Sequence, residues 1–81
     1  MAAFVYLLRC ADGSLYCGWS TDAERRLRQH RAGTASRYTR RRLPVELVYK
    51  REFETRSEAM REEIRIKRLP VREKRRLSLG G

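Results

Sequence analysis

Two tyrosines, an arginine and a histidine near the start of the chain form a pattern that could act on phosphodiesters. Tyr6 and Tyr16 lie on either side of an Asp-Gly turn, and Arg26 and His30 follow at the i,i+4 spacing of a helix. Tyrosine and histidine can accept or pass protons, and the arginine guanidinium can grip a phosphate with its fork of donors. Each residue alone would be ordinary in a hairpin followed by a surface helix, so the hypothesis depends on their combination.

A glutamate on the apolar side of a later predicted helix is the second unusual feature. The helix is expected to open with a capping box at residues 55–58 and to end near Leu69. Its apolar arc on a helical wheel, at about 100° per residue, consists of Ala59, Met60, Ile64 and Ile66. Glu63 falls near the middle of that arc, whereas Glu62 lies towards the polar side. A carboxylate there is costly unless it is paired or bound to a metal, so Glu63 is expected either to pair with Lys67 or to hold a cation.

The charge of the chain favours a polyanionic partner. Lys plus Arg number 20 and Asp plus Glu number 10 among 81 residues, giving a formal net charge of +10. Most of the basic residues are arginines, which suit bidentate phosphate contacts. An excess of this size in a folded domain indicates nucleic acid. The length allows one modest core, and we expect a single domain over residues 1–81.

Composition also argues against membrane and secreted classes. The first residues lack a basic region followed by a long apolar stretch, so we expect no signal peptide. The apolar runs are too short to span a bilayer. Cys10 and Cys17 form neither a zinc pattern nor a disulfide framework, and are expected to be reduced, buried cysteines of a cytoplasmic protein.

Two strands joined by a short turn are expected to position the tyrosines. Residues 3–10 and 15–19 are rich in β-branched, aromatic and aliphatic side chains. A two-residue turn would place Tyr6 and Tyr16 on opposite faces of the hairpin. A three-residue loop, with Gly13 in the left-handed conformation, would place them on one face. The second arrangement is favoured because it gathers apolar side chains on the other face.

The rest of the chain is predicted to alternate helices with one more strand. Residues 21–24 form a capping box with Thr21 as the N-cap, opening a helix that ends at Gly33. Residues 34–42 are predicted to be a polar loop, and residues 45–53 a third strand whose Val45, Leu47 and Tyr49 share one face. Residues 72–77 are predicted to be a short last helix, with residues 72–76 a solvated face.

The order and spacing of these residues resemble the GIY-YIG nuclease superfamily, and more narrowly its small stand-alone bacterial members. The half-motifs read Phe4-Val5-Tyr6 and Tyr16-Cys17-Gly18, with Phe in place of the usual first Gly and Cys in place of Ile. Residues 22–27 and 57–67 also match, as does His30. The resemblance implies an α/β fold of the α+β kind, a small three-stranded antiparallel sheet flanked by helices.

The resemblance implies a metal-dependent endonuclease whose catalytic residues are Tyr6, Tyr16, Arg26, His30 and Glu63. Glu63 would hold a divalent cation, Mg²⁺ or Mn²⁺, which polarises the scissile phosphate. Arg26 would stabilise the charge that grows on the non-bridging oxygens. Tyr6 or Tyr16, assisted by His30, would take the proton from the attacking water, and the choice between the tyrosines stays open. DNA, including structured or damaged DNA, is favoured over RNA.

A second set of residues is predicted to contact the nucleic acid: Arg37, Tyr38, Arg40, Arg41 and Lys67. A basic loop with an embedded aromatic residue can grip phosphates and stack on a base, although a solvated loop would show the same pattern. Low sequence specificity or a protein partner that supplies specificity is implied. The alternatives are a non-catalytic nucleic-acid-binding module of the same fold, and a small basic protein on ribosomal RNA, which explains the charge but not Glu63.

Overall fold

The computed structural model describes residues 2–80, which form three strands and four helices. In chain order they are β1 (Ala3–Arg9), β2 (Leu15–Ser20), α1 (Ala23–Arg31), α2 (Arg37–Arg40), β3 (Glu46–Phe53), α3 (Arg56–Lys67) and α4 (Val71–Gly80). The strands form one antiparallel sheet in the order β2-β1-β3. The predicted α+β fold is therefore confirmed. Within residues 2–80 no helix is both long and apolar enough to cross a membrane.

The β1–β2 hairpin has the register that the sequence favoured. Gly13 adopts a φ of +85°, a conformation that costs glycine little, and the amide of Cys10 donates to the carbonyl of Ser14 at 2.9 Å. The loop between them thus has three residues. As a result, Tyr6 and Tyr16 lie on the same face of the sheet.

Helices cover both faces of the sheet. On one face, α1 and the buried residues of β1 form a cluster made of Tyr6, Leu8, Cys10 and Val45 with Leu27 packed against it. On the other face, α3 and α4 cover a cluster made of Ala3, Val5, Leu7, Cys17, Ala59 and Ile66. The strand β1 lies between these two layers, and β2 and β3 are the edges of the sheet. Both cysteines are free thiols, and they lie in different clusters.

Helix α1 begins one residue later than predicted. The Oγ of Ser20 accepts a hydrogen bond from the amide of Asp22 at 3.0 Å, which carries the turn one residue further. The Asp22 carboxylate then accepts from the amide of Arg25 at 3.0 Å, so Asp22 is the N-cap. The prediction of Thr21 as the N-cap was wrong, because a carboxylate at the next position makes the same bond.

The segment predicted to be a polar loop contains the short helix α2. Ser36 caps it, with its side chain accepting from the amide of Tyr38. This helix places the fully buried Thr39 against His30 of α1. The loop prediction failed here because a run of arginines gives no apolar periodicity to mark a helix.

Strand β3 contains a bulge that the sequence prediction did not include. Leu7 lies opposite Tyr49, and Leu8 lies opposite Leu47. Val48 is therefore an extra residue, and side chains beyond it change faces. Leu47 packs with the α1-side cluster, whereas Tyr49 packs with the α3-side cluster. The prediction that the two residues share one face was wrong for this reason.

Helix α3 has the predicted start but a narrower buried face. The capping box at Thr55 is present, since its side chain accepts from the amide of Glu58 and the Glu58 carboxylate accepts from the amide of Thr55. The fully buried positions are Ala59 and Ile66, at a spacing of two turns. The other two members of the predicted arc are largely exposed: Met60 at 45% and Ile64 at 49%.

Candidate active site

A cavity of about 420 Å³ lies beside the outer edge of β2. Its wall includes four of the residues predicted to be catalytic: Tyr6, Tyr16, Arg26 and Glu63. Arg26 belongs to α1 and Glu63 to α3, and these helices cover opposite faces of the sheet. A cavity that both helices reach must lie beyond the free edge of the sheet, where it is open to a large substrate.

Gly18 makes room for the Tyr6 side chain. The two residues are cross-strand partners on β1 and β2. A Cβ atom at position 18 would lie 2.5 Å from the Tyr6 hydroxyl oxygen and 2.7 Å from its Cζ. The absence of a side chain at Gly18 therefore lets the phenol cross the neighbouring strand and reach the cavity.

His30 lies behind the tyrosines rather than on the cavity wall. Its side chain is buried, with 1% exposed, and Nε2 lies 2.9 Å from the Tyr6 hydroxyl. Its Nδ1 lies 2.8 Å from the Oγ1 of Thr39. The ring of Tyr16 packs edge-on against the imidazole, with the ring centroids 5.2 Å apart. His30 can thus exchange a proton with Tyr6 but cannot touch a substrate directly.

The hydrogen bonds around Thr39 favour one tautomer of His30. The Thr39 hydroxyl lies within donating distance of the carbonyl of Ser36, at 3.4 Å. When the hydroxyl donates there, its oxygen accepts from Nδ1–H of His30. Nε2 is then unprotonated and accepts the proton of the Tyr6 hydroxyl. The three side chains form a line along which a proton can move away from the cavity.

The surroundings of Tyr6 and His30 keep both side chains neutral near pH 7. Burial lowers the pKa of His30 below its usual value, and the charge of Arg26 lowers it further. Burial raises the pKa of Tyr6 above that of a free phenol, with a further increase from Tyr16 and an opposing effect of Arg26. Tyr6 therefore keeps its proton in the resting protein, and His30 is free to accept one.

Glu63 both pairs with Lys67 and lines the cavity. The Oε1 atom of Glu63 lies 3.6 Å from the Lys67 ammonium, and its side chain is 18% exposed. The two sequence interpretations, an i,i+4 ion pair and a carboxylate in a site, therefore hold together. A carboxylate facing the cavity can approach an incoming cation without rearrangement of the backbone.

Glu62 is more enclosed than its neighbour, contrary to the prediction from the helical wheel. Its side chain is 11% exposed and accepts two hydrogen bonds from Arg65, at 2.7 and 2.6 Å. Arg51 approaches the same carboxylate at 3.7 Å. The bonds from Arg65 hold the pKa of Glu62 below its usual range. Glu62 is thus committed to arginines, and Glu63 is the carboxylate available to the cavity.

The donor set suits a magnesium-like ion better than a closed metal cage. Within residues 2–80, no cluster of three or more His, Cys, Asp or Glu side chains could share a metal ion. Mg²⁺ is commonly held by one or two carboxylates, with waters and substrate phosphate completing its shell. A single oxygen ligand from Glu63 beside an open cavity fits such an ion, Mg²⁺ or Mn²⁺, bound together with a phosphate.

The residues predicted to contact nucleic acid lie in three different surroundings. Three of them are exposed on or beside α2: Arg37, Arg40 and Arg41. Tyr38 is stacked on Tyr16, with the centroids 5.8 Å apart, and the guanidinium of Arg42 lies 3.9 Å from the Tyr38 centroid. The Tyr38 ring is therefore held by neighbours within the protein. Lys67 lies beside the cavity through its pair with Glu63.

Arg56 is a cavity residue that the sequence reasoning missed. It is the first residue of α3 and lines the same cavity as Arg26. A cation in the first turn of a helix opposes the helix dipole, which favours negative charge there. That mismatch was the available signal, since an unfavourably placed charge suggests a role outside the helix. Two arginines on opposite walls give the cavity the means to hold a phosphate from both sides.

Comparisons with known proteins find one family model and several relatives that this chain resembles. The model of the GIY-YIG catalytic domain family matches residues 2–76. The chain is 56% identical over 71 residues to a UPF0213 protein of Nitratidesulfovibrio vulgaris, which covers 88% of this chain and 64% of that protein, slightly under two thirds of it. It is 50% identical over 74 residues to the UPF0213 protein OB0043 of Oceanobacillus iheyensis, covering 91% and 86%.

A solved structure has the same fold. The solution NMR structure of the UPF0213 protein BH0048 from Bacillus halodurans superposes with a TM-score of 0.62 at 44% identity. The match covers 95% of this chain and 82% of that one. The overall fold described above is therefore shared with a relative whose structure was determined by experiment.

Proposed function

This chain belongs to the GIY-YIG catalytic domain family, and on that premise we propose that it is a metal-dependent endonuclease hydrolysing phosphodiester bonds, with DNA as the expected substrate. The observation that carries the proposal is the convergence of Tyr6, Tyr16, Arg26 and Glu63 on one cavity. The net charge of +10 supports a nucleic-acid substrate.

Tyr6 and His30 form the proton-accepting pair in this proposal. As a water oxygen attacks phosphorus, the water proton passes to the Tyr6 oxygen while the Tyr6 proton passes to Nε2 of His30. The new P–O bond forms as the bond to the leaving oxygen breaks, and that oxygen takes a proton from solvent. The raised pKa of Tyr6 disfavours a standing phenolate, and a concerted transfer avoids one. The Thr39 hydroxyl accepts from the Nδ1–H of His30 throughout.

Arg26 and Glu63 act on the phosphate itself. The Arg26 guanidinium faces the cavity and can donate two hydrogen bonds to non-bridging oxygens as their charge grows. Glu63 would hold Mg²⁺ or Mn²⁺, and the cation, when bound, supplies Lewis-acid polarisation of the phosphate. Tyr16 holds the imidazole of His30 in place by its edge-on contact and completes the cavity wall.

Substrate choice in this proposal depends on nucleic-acid shape or on a protein partner. The cationic residues that line the cavity, Arg26 and Arg56, suit phosphates, and phosphate contacts carry no sequence information. Low sequence preference is the expected result. A cytoplasmic location is part of the same proposal, because Cys10 and Cys17 are both free thiols.

The test is cleavage of labelled nucleic acids with matched glutamate variants. The substrates are duplex, single-stranded, flap and junction DNA, with RNA of the same sequence, in Mg²⁺, Mn²⁺ or EDTA. Glu63→Gln is compared with Glu62→Gln, which removes a neighbouring carboxylate that is committed to Arg65 and Arg51. We expect metal-dependent cutting that is lost in Glu63→Gln and retained in Glu62→Gln.

Two outcomes would contradict the proposal. Binding of nucleic acid without cutting in any metal would favour the non-catalytic module. Cutting that survives Glu63→Gln but not Glu62→Gln would move the cation to the other carboxylate and overturn the assignment of the site.

A further inference from the structure

A second cavity, of about 440 Å³, lies at the other end of β2. Its wall is formed by the hairpin loop at residues 12–15, by Tyr38, and by Lys74 and Arg75 of α4. Tyr38 stacks on Tyr16 and belongs to the α1 side of the sheet, whereas α4 covers the other side. Like the first cavity, this one is reached from both layers and lies at the free edge of the sheet.

The two cavities follow one another along β2. Tyr16 lines the first cavity and Leu15 lines the second. The boundary between them is the stacked pair of Tyr16 and Tyr38. The strand Leu15–Ser20 has 6 residues, so it extends about 20 Å at roughly 3.3 Å per residue. We refer to β2 with the two cavities along its edge as the β2 groove.

The charges in the second cavity suit an anionic ligand. Among the residues that the structure describes, no carboxylate pairs with Lys74 or Arg75, whereas Arg76 pairs with Glu73 at 3.6 Å. Asp12 also lines this cavity, and its carboxylate accepts from Arg42 at 3.0 Å and from the amide of Ser14 at 3.0 Å. The cations of α4 are therefore available to a phosphate, although the sequence suggested only a solvated face there.

We propose that the β2 groove binds one continuous polynucleotide strand, with the scissile phosphate in the first cavity and a neighbouring phosphate held by Lys74 and Arg75 in the second. The passage of the strand through the first cavity rests on the proposed function. Each cavity has the volume of a small-molecule site, which admits one nucleotide of such a strand. The proposal therefore places a single strand, and not a base-paired one, in the groove.

The test compares two double variants of the same helix that remove the same charge. Lys74→Ala with Arg75→Ala removes the cations of the second cavity. Arg72→Ala with Arg76→Ala removes two cations of α4 that do not line it. Binding of a fluorescein-labelled single-stranded DNA 12-mer is measured in EDTA by anisotropy at several salt concentrations, with RNA of the same sequence and the blunt DNA duplex as further arms. Circular dichroism checks that each variant is folded.

We expect the Lys74 and Arg75 variant to bind about tenfold more weakly and to show a salt slope shallower by about 1.4, the value for two lost phosphate contacts on a single strand. The Arg72 and Arg76 variant should stay within about twofold of the wild type near 0.15 M salt, where the screening length is about 8 Å. The charge-conserving pair Lys74→Arg with Arg75→Lys should restore binding. The arm that shows the selective loss identifies DNA or RNA as the ligand.

The outcomes separate this inference from the proposed function. Equal weakening by both double variants, with the wild type still binding and cutting, would overturn the second subsite and leave the nuclease proposal standing. Tighter binding of blunt duplex than of single strand, with the same dependence on Lys74 and Arg75, would overturn the single-stranded path. A wild-type protein that binds neither DNA nor RNA would overturn both proposals.

Discussion

Gly18 and Tyr6 face each other across the β1–β2 pair so closely that only a glycine fits opposite the phenol. A Cβ atom at position 18 would come within 2.5 Å of the Tyr6 hydroxyl oxygen. Tyr6 has little freedom to yield, because His30 holds its hydroxyl from the other side at 2.9 Å. Gly18 of the second half-motif therefore allows Tyr6 of the first half-motif to take its position.

Gly18→Ala should separate activity from stability. The added methyl must displace the Tyr6 ring, and overpacking of this kind costs about 1–3 kcal/mol. We expect cleavage to fall far more than stability does, because the proton acceptor has moved. The measurements are cleavage rate and urea unfolding on the same preparation.

Gly33→Ala is the matched control for that variant. Gly33 has a φ of +79° and lines neither cavity, and a Cβ there would make only an ordinary contact with Arg40 at 3.5 Å, so alanine is strained by about 1–2 kcal/mol without touching Tyr6. A similar loss of stability with nearly normal cleavage is expected. If the two alanine variants lose activity in equal proportion, the contact between Gly18 and Tyr6 has no special role.

Thr39→Val should change the protonation of His30 without changing the shape of the core. Valine removes the acceptor for Nδ1–H and leaves that donor buried without a partner, at a cost of about 1–3 kcal/mol. The tautomer with the proton on Nε2 then becomes favourable and cannot accept from Tyr6. We expect ¹⁵N NMR of the imidazole to show this exchange, and cleavage to fall by up to about 10²-fold.

Thr39→Ser distinguishes this role from packing. Serine keeps the hydroxyl and loses only a methyl group in a fully buried position. It should retain the wild-type tautomer and most of the cleavage rate. Equal loss of cleavage in the valine and serine variants, with an unchanged imidazole spectrum, would make Thr39 a packing residue only.

Local rules account for what the sequence predicted correctly. The register that puts Tyr6 and Tyr16 on one face follows from the length of one loop and the conformation of Gly13, both of which are set by adjacent residues. The capping box at Thr55 likewise depends on residues within one turn. Four of the five residues expected in the site meet in the cavity because their elements were placed correctly.

Contacts between distant elements account for the features that the sequence did not predict. The bulge at Val48 is defined only against the partner strand, so no pattern within β3 reveals it. Thr39 is buried because α2 packs beside α1, although the residues around it in the sequence are mostly arginines. The wheel placed Glu62 on the polar side, but Arg51 and Arg65 enclose it from two elements.

A decrease in pH should destabilise the protein over a pH range set by the pKa of His30. Its folded-state pKa lies below the unfolded value of 6.5, so the unfolded chain binds more protons between the two values. The free energy of unfolding should therefore fall as the pH decreases from about 6.5 towards the lowered pKa. Urea unfolding at a series of pH values should show this decrease in the wild type and lose it in His30→Gln.

Glu62→Gln is the control for this pH dependence of stability. The pKa of Glu62 is lowered from 4.5 chiefly by the bonds from Arg65, so its contribution is present above that value and is lost only as the pH falls below it. The variant should thus alter the pH dependence below about 4.5 and leave the region above pH 5 unchanged. A decrease near pH 6 that persists in His30→Gln would show that another group titrates there.

Arg26→Ala should give two independent signals, one in catalysis and one in the titration of His30. The guanidinium lines the cavity and also lowers the pKa of His30. Its removal should reduce cleavage by about 10²–10³-fold, as for the loss of a donor to the developing charge. It should also raise the pKa of His30, measured by NMR titration without any substrate.

Arg28→Ala removes the same charge from the exposed side of α1 and should leave both the cleavage rate and the pKa of His30 nearly unchanged. A normal His30 titration in Arg26→Ala, with cleavage lost, would confine Arg26 to contacts with the phosphate and remove it from the electrostatics of the proton relay.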